Sequence, residues 1–457
     1  MKIASLSVVA LAALVGLAVV SCGGDEGSAD AAGGGDGGGG GGQDDGGGQD
    51  GGESKDAIAG GDAADVQDSG PFDAGFEDAG EADAGAADTG VGKDAGPAVP
   101  KIFGPAVKVN DTPITPEPIV SLDSAAFSKG AVLAAWAHRT GELNIYPALY
   151  FDISADGQAF GTDKKAWGSP GGSTVDRPQI IAGPDGAVYI FLYRDGGTSF
   201  VKSADGGATF STPTMVDGSK GLCKVRLSPI GTIGEIYVVY FDPGEGKVNF
   251  NKSEDGGATW NNPFELHDLT GCVDDMYTDG EDSFVVRAQQ GVKLMKINAG
   301  LYMHTLAVTI DSADLPYSPA VGSLGNSVHA CWATEQNNSI YCAHSADQGQ
   351  TFGGRHKAAG PSVGCYADEP DVAFDPAGGI HVIYRDYCGN GGAQSKIMYI
   401  FSNDGSSYSS PTAIRDNNSY VGWAGLARED GMLGVLWIEN PGGGFNADTD
   451  LFFSLGQ

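Results

Sequence analysis

Basic residues are scarce in this chain of 457 residues, because 26 Lys and Arg stand against 59 Asp and Glu and give a formal net charge of −33. A chain this acidic repels phosphate, which excludes nucleic acid as a partner. The sequence also lacks a phosphate-binding loop with its lysine, a dinucleotide-binding fingerprint and a recognisable Ser, His, Asp order. Its seven histidines are scattered and no Cys-x-x-Cys spacing occurs, so we expect neither a metal site nor a cofactor.

Large apolar residues are almost missing between Cys22 and Lys101, where 26 glycines and 19 acidic residues stand against two bases. Such a segment cannot bury enough apolar surface to fold, so we predict a disordered linker over residues 22–100. A Gly-rich chain of this length spans about 50 Å root-mean-square. The remaining residues, 101–457, form the predicted folded domain, with 40 acidic and 23 basic residues and a net charge of −17.

The N-terminus carries an apolar run from Ile3 to Val20 behind Lys2, and nothing later in the chain is predicted to span a membrane. The residues Val19-Val20-Ser21-Cys22 resemble the lipobox of bacterial lipoproteins. The resemblance implies a signal peptide over residues 1–21 and a lipid on Cys22 that anchors the chain to a membrane. Gly23 stands where an Asp would imply retention at the inner membrane, so the resemblance implies an outer-membrane lipoprotein, periplasmic or surface-exposed. An ordinary signal peptide is the alternative.

One pattern, Ser-x-Asp-x-Gly-x-Thr-aromatic, recurs along the folded domain. In each copy the Asp and Ser side chains can accept hydrogen bonds from backbone N–H groups of a tight turn, and the Gly supplies a positive φ. The pattern resembles the Asp boxes of sialidases and related bacterial neuraminidase-repeat propellers. In that fold the box joins the two outer strands of a blade on the face opposite the ligand, which implies that the box aspartates are structural. Full copies begin at Ser203, Ser253 and Ser345, shortened copies at Ser154 and Ser402, and a decayed copy lies near Asn298.

Upstream of the boxes lie β-rich segments that mostly end in an aromatic residue, and seven can be counted at about 51 residues per repeat. We therefore predict an all-β fold, a β-propeller of seven four-stranded antiparallel blades, with the six blades of sialidases as the alternative. The last repeat stops after its third strand. Residues 102–109 resemble the outer strands, so we expect them to pair with the last blade and close the ring. The β-rich segments begin at Val132, Ala187, Ile236, Ser283, Val328, Ile380 and Leu433.

Six cysteines remain once Cys22 is set aside, an even number that predicts three disulfides in an exported chain. Two of the pairs follow from the repeats: Cys331 with Cys342 across one hairpin, and Cys223 with Cys272 at equivalent positions of neighbouring blades. The third pair, Cys365 with Cys388, follows by elimination and from two loops of the sixth blade.

Polar residues recur in the loops that a propeller gathers round one mouth of its channel, where the triplet Tyr-Arg-Asp occurs twice, at 193–195 and 384–386. Arginines bind carboxylates through paired hydrogen bonds and aromatic rings stack on sugars, so we predict a site for a glycan or for an envelope or extracellular protein. The alternative is that the triplets are repeat residues that form interblade ion pairs. The predicted ligand-binding residues are Arg177, Arg194, Asp195, Arg385, Asp386 and Trp423.

The resemblance to sialidases also implies a glycoside hydrolase acting on acidic sugars as the alternative function. Sialidases hold the substrate carboxylate with three arginines, attack with a Tyr assisted by a Glu, and use an Asp as acid and base. Their Arg-Ile-Pro motif in the first blade is missing here, so we rank non-catalytic binding first. Carried onto this chain, the roles imply Arg177, Arg194 and Arg385 for the carboxylate, Tyr366 or Tyr420 with Glu369 as the nucleophile pair, and Asp176 as the acid and base.

Overall fold

The computed structural model describes residues 97–111, 124–140, 146–168, 175–218, 220–228, 234–280, 282–388, 395–416, 420–429, 432–440 and 449–457. The predicted signal peptide (1–21) and nearly all of the predicted linker (22–100) lie outside these residues. Over the part that is described, every regular element is a β-strand, and no helix there is long and apolar enough to cross a membrane.

Seven antiparallel sheets of at least four strands make up the described domain, which is the predicted seven-bladed propeller. Blade 1 contains β2 (Ala125–Ser128), β3 (Ala131–Thr140), β4 (Tyr146–Ser154) and β5 (Lys164–Gly168). Blade 2 contains β6 (Val175–Ala182), β7 (Val188–Arg194), β8 (Gly197–Ser203) and β9 (Thr214–Asp217). Blade 3 contains β10 (Gly221–Ser228), β11 (Glu235–Asp242), β12 (Lys247–Ser253) and β13 (Phe264–Glu265). Blade 4 contains β14 (Asp275–Asp279), β15 (Asp282–Ala288), β16 (Val292–Asn298), β17 (Met303–His304) and β18 (Val308–Asp311).

The remaining blades follow the same order, from the innermost strand at the channel to the outermost strand at the rim. Blade 5 contains β19 (Pro316–Leu324), β20 (Ser327–Thr334), β21 (Ser339–Ser345) and β22 (His356–Ala359). Blade 6 contains β23 (Cys365–Phe374), β24 (Ile380–Cys388), β25 (Lys396–Ser402) and β26 (Thr412–Arg415). Blade 7 contains β27 (Tyr420–Glu429), β28 (Met432–Asn440), β29 (Asp450–Gly456) and β1 (Val107–Lys108).

The two ends of the described domain meet in blade 7, as the sequence predicts. Strand β1 pairs with β29 through Val107 and Phe453, and a further bridge joins Phe103 to Gly456. Ile102 and Gln457 exchange both of their backbone hydrogen bonds. The outermost strand of the last blade therefore comes from the start of the domain, which closes the ring.

Each pair of neighbouring blades encloses its own apolar cluster. Between blades 1 and 2, for example, Leu133 and Phe151 pack with Ile180 and Ile190, all at most 3% exposed. Seven such clusters occur in the described domain, one for each interface. Because alternate residues of a strand point to opposite faces, the second strand of a blade is apolar on both faces and serves two interfaces. This explains the β-rich segments from which the blades were counted.

A line of polar contacts also joins the innermost strands, close to the channel axis. Ser124 donates to the Pro178 carbonyl, and the Gln179 side chain bonds both the Cys223 carbonyl and the Val225 N–H. Further along, Lys224 pairs with Asp275 at 3.6 Å, Asp275 accepts from Val321 N at 3.0 Å, and Asp371 accepts from Leu426 N at 2.8 Å. A side chain at the same position of the innermost strand thus bonds the next blade at five interfaces, namely those between blades 1 and 2, 2 and 3, 3 and 4, 4 and 5, and 6 and 7. At the other two interfaces the position holds Ala320 and Gly425, which carry no polar side chain.

The Asp boxes form the turns that the sequence predicts. In the copy at Ser203, the Asp205 carboxylate accepts from Thr209 N at 2.8 Å and from Thr209 Oγ1 at 2.6 Å, while Ser203 Oγ accepts from Gly207 N at 2.7 Å. The same bonds recur at Asp255 and Asp347. These bonds lower the pKa of the Asp347 carboxyl to about 2, and the hydrogen bond from the Thr351 hydroxyl contributes most to this shift. At Asn298 the box is replaced by the short strand β17 and the neighbouring β18.

The box glycine has a second role, because each box turn packs on the preceding blade. Gly207 has φ of +90°, and a Cβ there would lie 2.3 Å from the Phe151 ring of blade 1. A Cβ on Gly257 would likewise lie 2.5 Å from the Phe200 ring of blade 2, and a Cβ on Gly157 would lie 3.2 Å from the Phe453 ring of blade 7. Only glycine fits, because the turn needs both a left-handed backbone and an empty Cβ position.

Three disulfides confirm the predicted pairs. Cys223 and Cys272 join blades 3 and 4, Cys331 and Cys342 face each other across β20 and β21, and Cys365 and Cys388 join β23 to β24. The last two lie in blades 5 and 6.

The packing of the box glycine predicts a specific loss of stability. Gly207→Ala should destabilise the protein by about 2–4 kcal/mol, because the methyl group strains the turn and collides with Phe151. Gly206→Ala in the same turn is the matched control, since Gly206 has φ of +66° with nothing within 4 Å of a Cβ. It should lower the free energy of unfolding by about 1 kcal/mol, from backbone strain alone. Urea unfolding measures both, and equal losses would contradict the packing role.

Candidate functional site

The face opposite the Asp boxes is formed by the loops that enter each innermost strand and by the turns between second and third strands. In blade 6 these two elements place Asp368, Glu369 and Arg385 together. Arg385 donates to both oxygens of Asp368, each at 3.0 Å, and its Nη2 lies 3.0 Å from Glu369 Oε1. The three side chains are 12–16% exposed, so this is a nearly buried cluster of two carboxylates and one guanidinium.

A proline explains why the chain turns here. Strand β23 shifts register between Asp368 and Asp371, and Pro370 sits in that bulge because it has no N–H to donate to the sheet. Glu369 just before it adopts φ of +48°. The same shift occurs at Pro319 of blade 5 and Pro178 of blade 2. The bulge turns Glu369 toward Arg385 on the neighbouring strand.

Glu369 is the most perturbed acid of the cluster. Burial raises its pKa to about 7, with Asp368 adding to the rise and Arg385 opposing it. Its Oε2 is buried without a hydrogen-bond partner. Tyr317, at the equivalent bulge of blade 5, has its own pKa raised by burial and by the nearby Asp368 and Glu369 carboxylates. A carboxyl that is partly protonated at neutral pH can donate or accept a proton.

Asp386, the last residue of the second Tyr-Arg-Asp triplet, is only 1% exposed and turns away from the arginine beside it. It accepts hydrogen bonds from the N–H and hydroxyl of Ser362. The Cys365–Cys388 disulfide closes the same two loops. Asp386 therefore stabilises the loop that leads into β23.

The first triplet adopts a different arrangement in blade 2. Arg194 pairs with its neighbour Asp195 at 2.9 Å and lies over the Trp167 ring at 4.7 Å. Asp195 is exposed and has φ of +50°. Identical triplets thus form a buried fork in blade 6 and a surface pair in blade 2. Both arginines bind carboxylates of their own blade, and Arg194 also lies against the Trp167 ring of blade 1.

The other predicted site residues divide into two groups. Tyr366 lies on the loop face at the start of β23 and is 49% exposed. The side chains of Asp176, Arg177, Tyr420 and Trp423 lie outside the described part of the chain. The sequence also places Asp368 in the entry loop beside Glu369, and Tyr317 was not predicted, although the shared Pro spacing aligns Tyr317-Ser318-Pro319 with Asp368-Glu369-Pro370 and would have indicated it.

Carboxylates of this chain occupy every arginine whose side chain the structure describes. Arg415 binds both oxygens of Glu439, at 2.8 and 3.0 Å, and Arg355 binds two aspartates. The six pairings are Arg194 with Asp195, Arg226 with Asp275, Arg287 with Asp274, Arg355 with Asp311 and Asp314, Arg385 with Asp368 and Glu369, and Arg415 with Glu439.

A cavity of about 690 Å³ lies in the central channel, toward the Asp-box side. Its walls are the innermost strands and the turns that follow them, including Lys129 and Pro184, together with Lys101 from the N-terminal segment. It is therefore separate from the Glu369 cluster, which belongs to the opposite end of the innermost strands.

Comparisons with known proteins found similar chains only among solved structures. No family model and no curated protein matches the chain. Among solved structures, a protein of unknown function from Dyadobacter fermentans shares 15% identity over 78% of this chain and 98% of its own, with a TM-score of 0.46. A mutant of the NanB sialidase from Streptococcus pneumoniae shares 10% identity over 76% and 68% of the two chains, TM-score 0.42. The phage phi92 endosialidase shares 11% over 77% and 68%, TM-score 0.45.

The described domain is a seven-bladed propeller whose turns include Asp boxes, as its own boxes and sheets establish. The low identities carry nothing about activity.

The raised pKa of Glu369 predicts how stability changes with pH. The unfolded pKa is 4.5 and the folded one about 7, so the folded state binds more protons between these values and loses stability as pH rises through them. Glu369→Gln removes this titration. The variant should gain on the order of 2 kcal/mol relative to the wild type on going from pH 5 to pH 8. Urea unfolding of both proteins at four pH values measures the difference, and parallel profiles would contradict the shift.

Proposed function

We propose that this chain is a cell-envelope lipoprotein that displays a non-catalytic binding propeller, with the loop face as its recognition surface for a glycan or an extracellular protein. The observation that carries this proposal is that all six arginines with described side chains are already bound by carboxylates of the chain. A sialidase needs arginines that are open to the substrate carboxylate.

The paired hydrogen bonds between Arg385 and Asp368 show what the binding of a sugar carboxylate to Arg385 would require. A sugar carboxylate would have to displace Asp368, which makes two hydrogen bonds of 3.0 Å to the guanidinium inside a mostly buried cluster. Breaking such a pair leaves a buried charge without its partner, which costs about 3–5 kcal/mol. The folded domain also carries a net charge of −17 from its 40 acidic and 23 basic residues, which disfavours an anionic ligand. Neutral glycans and protein surfaces do not meet this barrier.

The position of the N-terminal segment supports a display role. Lys101 donates its N–H to the Tyr399 hydroxyl and lines the channel cavity beside the turns of the Asp-box side. The predicted linker therefore joins the domain on the face opposite the loops.

A hydrolase is the second candidate, and one observation favours it. Glu369 combines a pKa of about 7 with an unpartnered buried oxygen, which are properties of a general acid. In this reading Glu369 would assist Tyr366 or Tyr420, with Arg177, Arg194 and Arg385 on the carboxylate and Asp176 as acid and base. Such a mechanism requires Arg194 and Arg385 to leave their present partners.

The two candidates are separated by one experiment on the full chain purified in detergent. A panel of neutral, sialylated and uronic-acid glycans is incubated with the protein, and mass spectrometry identifies what is bound and what is released. We expect no released monosaccharide and retention of intact ligand by the protein. Tyr366→Ala should weaken retention at least about tenfold, because exposed aromatic rings on a recognition face supply much of the binding energy.

Leu301→Ala is the matched control, since Leu301 is 70% exposed on the rim of blade 4, away from the loop face. It should leave retention unchanged. Released monosaccharide that is lost in Glu369→Gln would establish the hydrolase instead. A panel neither cut nor retained would rule out the tested glycans and leave a protein as the ligand class.

A further inference from the structure

A buried chain of hydrogen bonds holds the segment that precedes β1 onto blade 6. The Lys101 N–H donates to the Tyr399 hydroxyl at 2.9 Å, and that hydroxyl lies 2.8 Å from His381 Nδ1. On the other side of the imidazole ring, His381 Nε2 lies 3.1 Å from Asp375 Oδ2. The side chains of Asp375, His381 and Tyr399 are all buried, so water has little access to these bonds.

The donors and acceptors of this chain of bonds leave one arrangement of protons. The Asp375 carboxylate only accepts hydrogen bonds, and its Oδ1 already accepts from two backbone N–H groups of the turn that follows it, at 2.9 and 2.8 Å. His381 Nε2 therefore carries a hydrogen, which makes Nδ1 an acceptor in the neutral ring. The Tyr399 hydroxyl donates to Nδ1, and its oxygen accepts from the Lys101 N–H.

A second proton on His381 breaks this arrangement. Nδ1 would then carry a hydrogen of its own and donate to the Tyr399 oxygen, so the hydroxyl hydrogen would lose its acceptor. Burial raises the pKa of Tyr399 to about 12, so the hydroxyl keeps its hydrogen at neutral and acidic pH. A buried donor without an acceptor is unfavourable, and the bonds on either side of the hydroxyl cannot both persist unchanged.

The surroundings of His381 also disfavour its charged form. Burial lowers the pKa of His381, and it does so more strongly than the nearby charges. Among the described residues two charged groups act on the ring: Asp375, in the turn between β23 and β24, favours the proton, and Lys101 opposes it. From β25 the ring meets Tyr399 and Phe401, with ring centres 6.0 and 5.2 Å away. The hydrogen-bonded arrangement therefore belongs to neutral His381.

Residues 98–106, which we call the strap, run from blade 6 to the outermost strand of blade 7. Ala98 lies against the turn that follows β23, because a Cβ on Gly379 would stand 2.8 Å from the Ala98 Cβ. The Phe103 ring packs edge-on against Tyr399 with 5.2 Å between ring centres, and its backbone pairs with β29. The strap therefore contacts blade 6 through its first residues and blade 7 through its later ones.

We propose that the strap is acid-sensitive: it is fastened to blade 6 while His381 is neutral, and it leaves blade 6 when His381 takes up a proton. The bonds of Ile102 and Gly104 go to the last residues of blade 7 and do not involve His381, so they keep the other half of the strap in place. Acid therefore loosens the point at which the predicted linker joins the domain.

The direction of the pH effect follows from linkage. The pKa of His381 is lowered from 6.5 in the folded protein, so the released state binds the proton more readily than the fastened one. The stability that His381 gives to the fastened strap is complete above that pH. It is lost as the pH falls from 6.5 through the folded pKa.

Hydrogen–deuterium exchange of the full chain in detergent tests the proposal, because the Lys101 amide is itself a donor in the chain of bonds. Labelling at pH 7.5 and pH 5.0, with times scaled to the intrinsic exchange rate at each pH, gives the protection factor of that amide by fragmentation mass spectrometry. Linkage allows a fall of up to about thirtyfold over this range, and we expect at least about tenfold. Amides of β11 in blade 3 should keep their protection, which shows that the domain stays folded. An unchanged protection factor at Lys101 would overturn the proposal.

Three variants assign the effect to His381. His381→Gln keeps a donor and an acceptor without a titrating group, so protection of the Lys101 amide should no longer depend on pH. Tyr399→Phe removes the acceptor of that amide and should give low protection at both pH values. Tyr189→Phe is the matched control, because the Tyr189 hydroxyl is buried in blade 2 without a hydrogen-bond partner, and it should keep the full pH response. A tenfold fall that persists in His381→Gln would refute the proposal, as would a wild-type profile in Tyr399→Phe or a lost response in Tyr189→Phe.

Discussion

Polar contacts between innermost strands set the geometry of five of the seven blade interfaces. A blade presents a twisted apolar face to each neighbour, and apolar packing alone does not fix the height at which two such faces meet. The side chains of Gln179, Asp275 and Asp371 fix that height, because each bonds a defined backbone group of the next blade. The loops above inherit their relative positions from these bonds. Because these polar side chains are already hydrogen-bonded to the next blade, they stabilise the fold and offer little to a ligand in the channel.

The fold follows from the sequence to an unusual degree because its determinants are local and repeated. Each Asp box contains its own turn, as the Ser203 and Asp205 bonds show, and each β-rich segment is apolar on both faces because two interfaces bury it. Counting these units predicts seven blades, and the strand missing at residue 457 predicts the closure by residues 102–109. The pairings of the six cysteines follow from the same map. The decayed box at Asn298 is the exception, since nothing local indicates the extra strand β18.

The candidate site is less predictable because its chemistry depends on which partner each side chain takes. Two identical Tyr-Arg-Asp triplets give a buried fork at Arg385 and a surface pair at Arg194. The difference arises from the register of the second strands, because Arg385 lies opposite Asp368 whereas Arg194 lies opposite Val175. The sequence indicates which residue types lie on the loop face of the propeller. It does not indicate which of the many carboxylates pairs with each of the few arginines. In a chain with more than twice as many acids as bases, that competition decides which arginines stay open.

The closing strand also determines how the domain bears mechanical load. A pull on the N-terminal side of the domain enters the described fold at Pro97 and passes along β1, which runs antiparallel to β29 from the Asp-box side toward the loop side. A pull from the Asp-box side acts along the strand axis and so shears all the hydrogen bonds between β1 and β29 at once, rather than opening them one after another. Bonds loaded in parallel share the force, so the domain resists detachment of its first strand. The pairing of β1 with β29 is thus also where external force on the N-terminal segment passes into the ring.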